Sequence, residues 1–194
     1  MPEEPFTPPP VPAHLSDFPA SGGLVISFIT LRHANGKAAL GLVDPLRLEL
    51  CLREKRCGVC GEVIAGRMVF LMRPVDLDRN CSTEPPLCPP CAAYAQRACP
   101  MISGHMAHYQ RSVSPFVTRR CGDPACWCQL WAPPDESSAR LGAPAEQWYA
   151  LWTRRYVLTR DDAGRLAAGL AGRDVLRIRE IGQRPAAPAG NQPG

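Results

Sequence analysis

Apolar and polar positions alternate along this chain in ways that predict short strands more often than helices. GLVISFITL, residues 23–31, is rich in β-branched and apolar residues and predicts a strand. Ala34-Asn35-Gly36-Lys37 supplies an Asn-Gly turn, and Ala38 to Val43 predicts the returning strand. Asp44-Pro45 is a helix start, a capping acid followed by proline at the first helical position. Leu48, Cys51 and Leu52 then fall at helical spacing, which makes Cys51 a buried core thiol. Arg67 to Met72 predicts a further strand. QWYALWTRRYVLTR, residues 147–160, alternates, with Trp148, Ala150, Trp152 and Tyr156 on one face and Tyr149, Leu151 and Val157 on the other. Turns at 161–164 and 172–174 separate two more strands, at 165–170 and 175–181, and complete a meander. An aromatic stripe of this kind ordinarily packs on the core; the alternative is a binding platform. No internal repeat is visible.

Composition changes the picture at the ends. Of the 194 residues, 22 are proline, and their clustering marks residues 1–21 and 183–194 as tails. Proline fixes the backbone and removes hydrogen-bond donors, so residues 1–21 are expected to form a disordered arm, whose Pro8-Pro9-Pro10 run suits a polyproline contact. The stretch 132–145 reads as a polar loop. A single α+β domain over 22–182 remains, with a core of ordinary hydrophobic content. The N-terminus lacks a basic start followed by an apolar run, and no apolar stretch reaches the roughly 20 residues of a membrane helix. The expected location is therefore the cytoplasm, where thiols stay reduced and paired cysteines act as metal ligands. Were the chain exported, its ten cysteines could instead form five bridges.

The cysteines carry the chemistry. Cys57-Gly-Val-Cys60-Gly61 has the composition of a zinc knuckle: two thiolates from one tight turn, and a glycine for the backbone geometry the turn needs. Cys88-Pro-Pro-Cys91 precedes AAYAQRA, a good helix former, so the second pair belongs at a helix N-terminus, whose positive end favours thiolates. Knuckle, hairpin, then a helix bearing the second pair is the order of a treble-clef finger, here over about 55–100. Four protein ligands, Cys57, Cys60, Cys88 and Cys91, would leave Zn2+ no open position and make it structural. The fold class expected is thus a small zinc-stabilised α+β domain with a treble-clef-like core, flanking antiparallel strands and a C-terminal meander over about 147–182.

RCGVCGEVIAGRMVFLMRP followed by STEPPLCPPCAAYAQRACP resembles a family of uncharacterised bacterial and phage-associated proteins. Their shared pattern is an RC-x-VCG knuckle, an EPP turn and C-A-x-Y-A-x-x-ACP. The match spans roughly 43–100 and extends more loosely to 148–157. Some members carry histidine at the position of Cys88, a ligand-preserving exchange, so the resemblance implies a metal role there. It implies no particular activity.

Cys121, Cys126 and Cys128 form a second cluster, with Cys99, His105 and His108 upstream. Cys99, Cys121, Cys126 and Cys128 are the candidate second metal site. Its Cys-x-Cys spacing needs a bulge or turn, because successive residues on a strand point apart. Cys81 is expected to be a small buried residue.

Three function classes compete. The leading expectation is a non-catalytic zinc protein that binds an unknown protein partner. A nucleic-acid binder is the alternative, using Arg53, Lys55, Arg56 and Arg67, with Arg119 and Arg120 as a second patch. The net charge of +4 is a weak bias for that class. A degenerate HNH-type nuclease is third. It needs a histidine base and imidazole ligands, and none of His14, His33, His105 and His108 lies between the two cysteine pairs. Pairing Cys99 with His105 as nucleophile and base has no fixing geometry in the sequence. Phosphate-loop, Rossmann and G-x-S-x-G fingerprints are absent.

Overall fold

The computed structural model describes residues 6–109, 121–130 and 140–182. Over these residues the chain is a mixed α+β fold of small antiparallel sheets and three helices. β1 (Ala20–Ser21) and β2 (Leu24–Val25) pair around Gly22 and Gly23. β3 (Thr30–Arg32) and β4 (Ala38–Val43) form the hairpin expected at Asn35-Gly36, with Thr30 opposite Val43 and Arg32 opposite Ala38. α1 (Pro45–Glu54) starts where the Asp44 carboxylate accepts the Leu46 and Arg47 N–H groups at 3.0 and 3.3 Å, satisfying two otherwise orphaned donors. It stops at Lys55, which adopts a left-handed conformation.

The expected strand over 23–31 is broken, and the reason is local. Phe28 and Ile29 donate their N–H groups to the carbonyls of Val59 and Gly58, at 2.8 and 3.2 Å. The middle of the segment is thus bonded to the cysteine knuckle, and only its two ends enter strands.

β5 (Met68–Met72) is an unbroken apolar run, buried at every position. After α2 (Pro74–Asp78) and β6 (Cys81–Ser82) the chain folds back, so that Leu87 and Val69 exchange backbone bonds of 2.9 Å in both directions. α3 (Pro89–Ala98) follows and contacts β5. β7 (Trp148–Thr153), β8 (Val157–Arg160), β9 (Leu166–Gly169) and β10 (Val175–Ile181) complete the fold.

These last strands do not form the expected meander. β7 lies between β10 and β5 in one sheet, while β9 lies between β6 and β8 in another. The split occurs at Arg154-Arg155, where the Thr153 hydroxyl, fully buried, donates to the carbonyls of Arg155 and Asp174 and turns the chain out of its strand. The aromatic stripe is core rather than platform: Trp148 and Tyr156 are buried, and Tyr156 meets Phe70 edge-to-face at 5.4 Å. The Tyr156 hydroxyl donates to the carbonyl of Leu52, tying α1 to the C-terminal strands.

The proline-rich arm is also corrected over its described part, residues 6–21. Leu15, on a one-turn 3-10 helix (Ala13–Leu15), is fully buried in the main core, and Val11 and Phe18 pack against the same cluster. Three apolar side chains within eight positions give the arm enough to bury despite its prolines. Residues 1–5 and the tail from 183 lie outside the described residues.

Candidate metal centres

The knuckle is closed by two backbone bonds: Gly61 N–H to the Cys57 carbonyl, and Cys57 N–H to the Glu62 carbonyl, both 2.8 Å. Gly61 has φ +77°, and a Cβ there would stand 2.8 Å from the Phe28 ring. Side chains are excluded on both counts. A Cβ on Gly58 would sit 2.5 Å from Pro85 Cγ, because the Glu84-Pro85-Pro86 turn is seated on the knuckle and Pro86 accepts the Gly58 N–H at 2.9 Å. That turn delivers Cys88 to the N-cap of α3, with prolines at the first two helical positions and Cys91 in the first turn. The result brings the sulfurs of Cys57, Cys60, Cys88 and Cys91 all within 4.8 Å of one another. Thiolates about 2.3 Å from a tetrahedral ion stand about 3.8 Å apart, so the arrangement is within reach of one ion.

The close approach of these thiols shifts their proton affinities in opposite directions. Hydrogen bonds from the Cys57 and Cys91 thiols pull Cys88 down to about 4. Hydrogen bonding with Cys57 and Cys88, together with burial, pushes Cys91 up, and burial pushes Cys60 up. Cys57 and Cys91 are fully buried, Cys60 and Cys88 partly so. His14, on the docked arm, places Nε2 3.5 Å from the Cys91 sulfur. It is the kind of outer contact that orients and neutralises a thiolate ligand.

A second group unites His33, Cys121, Cys126 and Cys128, their donor atoms again all within 4.8 Å. His33 follows β3 directly and is locked in the hairpin turn: its N–H donates to the Lys37 carbonyl and its carbonyl accepts from Gly36, both at 2.9 Å. Its Nδ1 lies 3.7 Å from the Cys126 sulfur, and the Cys121 and Cys128 sulfurs are 3.6 Å apart. The Ala34 N–H donates to the Cys126 sulfur at 3.3 Å, the main reason the Cys126 thiol falls to about 6. The turn demanded by Cys-x-Cys is present as a 3-10 turn (Trp127–Leu130) after an Asp123 turn in which the carboxylate accepts the Ala125 N–H.

The fourth donor here is His33, and Cys99 is not part of the group. Cys99 caps the C-terminus of α3, its N–H bonded to the Ala95 carbonyl and its own carbonyl to the Ser103 N–H. Burial raises its thiol, which also argues against a nucleophilic Cys99. His105 is engaged with the Ser103 hydroxyl at 2.9 Å. The sequence held one signal for His33, its place beside a tight hairpin turn. Nothing in the spacing ties it to cysteines about ninety residues away. Cys51 is fully buried and pushed up to about 12 by that burial, while Cys81 sits partly buried in β6.

The candidate basic patch is largely internal bookkeeping of charge. Arg53 pairs with Glu49 and Arg56 with Glu54, each at 2.7 Å, and Arg56 also donates to the Gly61 carbonyl of the knuckle at 3.2 Å. Lys55 serves as the left-handed cap of α1, and Arg67 is exposed just before β5. Arg119 and Arg120 lie outside the described residues.

Set against protein-family models, curated proteins and solved structures, the chain matches none. Among the described residues no helix is long and apolar enough to cross a membrane. Both Cys/His groups could hold a metal ion.

Proposed function

We propose that this protein is a zinc-dependent, non-catalytic module for binding another protein, with Cys57, Cys60, Cys88 and Cys91 holding one structural Zn2+ in a treble-clef-like core. The observation that carries the reading is the convergence of four sulfurs, two from a knuckle and two from the start of α3. Four protein donors fill a tetrahedral shell and leave no position for water or substrate, which is the signature of a structural ion. The knuckle–strand–helix order and the resemblance of residues 43–100 to the zinc-knuckle family support the same reading. Pairing of Arg53 and Arg56 with the α1 glutamates Glu49 and Glu54 weighs against a nucleic-acid surface there.

Chelation tests it. Stripping the metal from the full chain under reducing conditions should abolish cooperative unfolding and expose the 57–91 region to protease; full retention of the fold after metal removal would refute the structural role. Binding to random duplex DNA should be absent across a salt titration. Tight binding that weakens steeply with salt would move the protein to the nucleic-acid class.

A further inference from the structure

We infer that His33, Cys121, Cys126 and Cys128 form a second metal centre, a Cys3His site for a tetrahedral, borderline-soft dication such as Zn2+, which latches residues 121–130 onto the β3–β4 hairpin. The segment is inside-out by the ordinary rules of burial. Its largest apolar side chain, Trp127, is 76% exposed, while the flanking Cys126 and Cys128 are buried. A segment that docked by hydrophobic contact would turn the indole inward and leave the smaller thiols to solvent. Here the face toward the protein consists of sulfur, and what it meets is a buried imidazole. None of the four residues belongs to the main core cluster.

The donor set explains that inversion. Cys-Gly-Asp-Pro-Ala-Cys-Trp-Cys supplies three thiols whose atoms lie with His33 inside 4.8 Å, and the separations of 3.7 Å between His33 Nδ1 and the Cys126 sulfur and 3.6 Å between the Cys121 and Cys128 sulfurs are close to the edge length of a tetrahedral site of mixed sulfur and nitrogen. A disulfide between Cys121 and Cys128 would use only two of the three sulfurs and would give His33 and Cys126 no role. Binding one Zn2+ displaces one proton from each thiol that is not already ionised, leaving three thiolates, one neutral imidazole and a net charge of −1 on the centre. The Ala34 N–H bond to Cys126 offsets part of that charge, as amide-to-sulfur bonds do around thiolate ligands. Its mixed donors make it chemically distinct from the all-sulfur group, and it stands independently of the function proposed above.

Zinc counting by native mass spectrometry of the full chain, purified under reducing conditions, decides the matter. Wild type should carry two ions per monomer, His33→Ala and Cys126→Ser one, and His33→Cys two again. Cys60→Ser reports on the other group and keeps the two claims separable. With Co2+ in place of zinc, His33→Cys should move the d–d bands to longer wavelength, because sulfur is a weaker-field donor than imidazole. A merely structural histidine would leave the bands unmoved. In metal-loaded wild type, partly exposed Cys121 should resist alkylation until chelator is added. A single zinc in wild type with Cys121, Cys126 and Cys128 alkylated as free thiols would overturn the inference. So would two ions retained in His33→Ala, unshifted cobalt bands in His33→Cys, or a Cys121–Cys128 disulfide in the reduced preparation.

Discussion

The two cysteine groups use similar donors in opposite surroundings. Cys57 and Cys91 are members of the same buried cluster as Leu52, Phe70, Leu87 and Tyr94, so sulfur and hydrocarbon are packed as one core. Cys126 and Cys128 are equally buried but stand outside that cluster, on a segment whose tryptophan faces solvent. In the first region a metal ion would be built into the core itself, its ligands packed with residues of β5, α3 and β7. In the second, coordination would replace a core that the residues cannot supply. The lesson is that burial of a cysteine does not by itself report hydrophobic packing; what its neighbours bury decides.

Removing a sulfur from the first region should have the largest consequence. Cys60→Ser or Cys91→Ser leaves three good donors, and serine hydroxyl is a poor zinc ligand at neutral pH. Apparent zinc-binding free energies of about 10–16 kcal/mol in structural sites match or exceed the whole stability of a typical domain. These variants should lose that ion and become insoluble or protease-sensitive. Cys88→His should keep it where Cys88→Ser does not, since imidazole can replace thiolate at the helix start. Equal loss in both, read as zinc per monomer, would break the treble-clef-like assignment at Cys88.

The next effect concerns the arm that closes over the first region. Leu15 is fully buried, and its neighbour His14 contacts Cys91. Leu15→Ala should cost about 2–5 kcal/mol, the usual range for such a truncation in a core, with zinc still bound. A denaturant midpoint indistinguishable from wild type would mean that the arm is not docked.

That arm marks the limit of what the sequence made legible. Strong local signals read through: the Asp44-Pro45 cap, the Asn35-Gly36 turn, the apolar run of β5 and the two Cys-x-x-Cys groups all carry their geometry within a few residues. Non-local pairings did not. The broken strand at 26–29 answers to the knuckle's carbonyls, about thirty residues on. β7 and β8 diverge because Thr153 bonds Asp174, and proline content hid three apolar residues of the arm. The second donor group shows the same division: Cys121, Cys126 and Cys128 are visible as a run, whereas His33 joins them only through the fold.

The smallest expected effect is the most discriminating between the two regions. Trp127→Ala removes the largest side chain of the 121–128 motif, and in an ordinary core such a change costs about 3–5 kcal/mol. At 76% exposure the indole has little burial to lose, and surface substitutions of this kind fall within about 0.5 kcal/mol. Global stability and the ion count should therefore match wild type, while Cys126→Ser, a change of one atom at the next position, should remove an ion. The contrast inverts the usual scaling of damage with side-chain size, and only coordination predicts it: a thiolate contributes through its bond to the metal, whereas an exposed ring contributes through contacts it does not make. A melting temperature lowered by several degrees in Trp127→Ala, with Cys126→Ser unchanged in both stability and metal, would show that residues 121–130 are held by the indole, and the distinction between the two regions would collapse into one of ordinary packing.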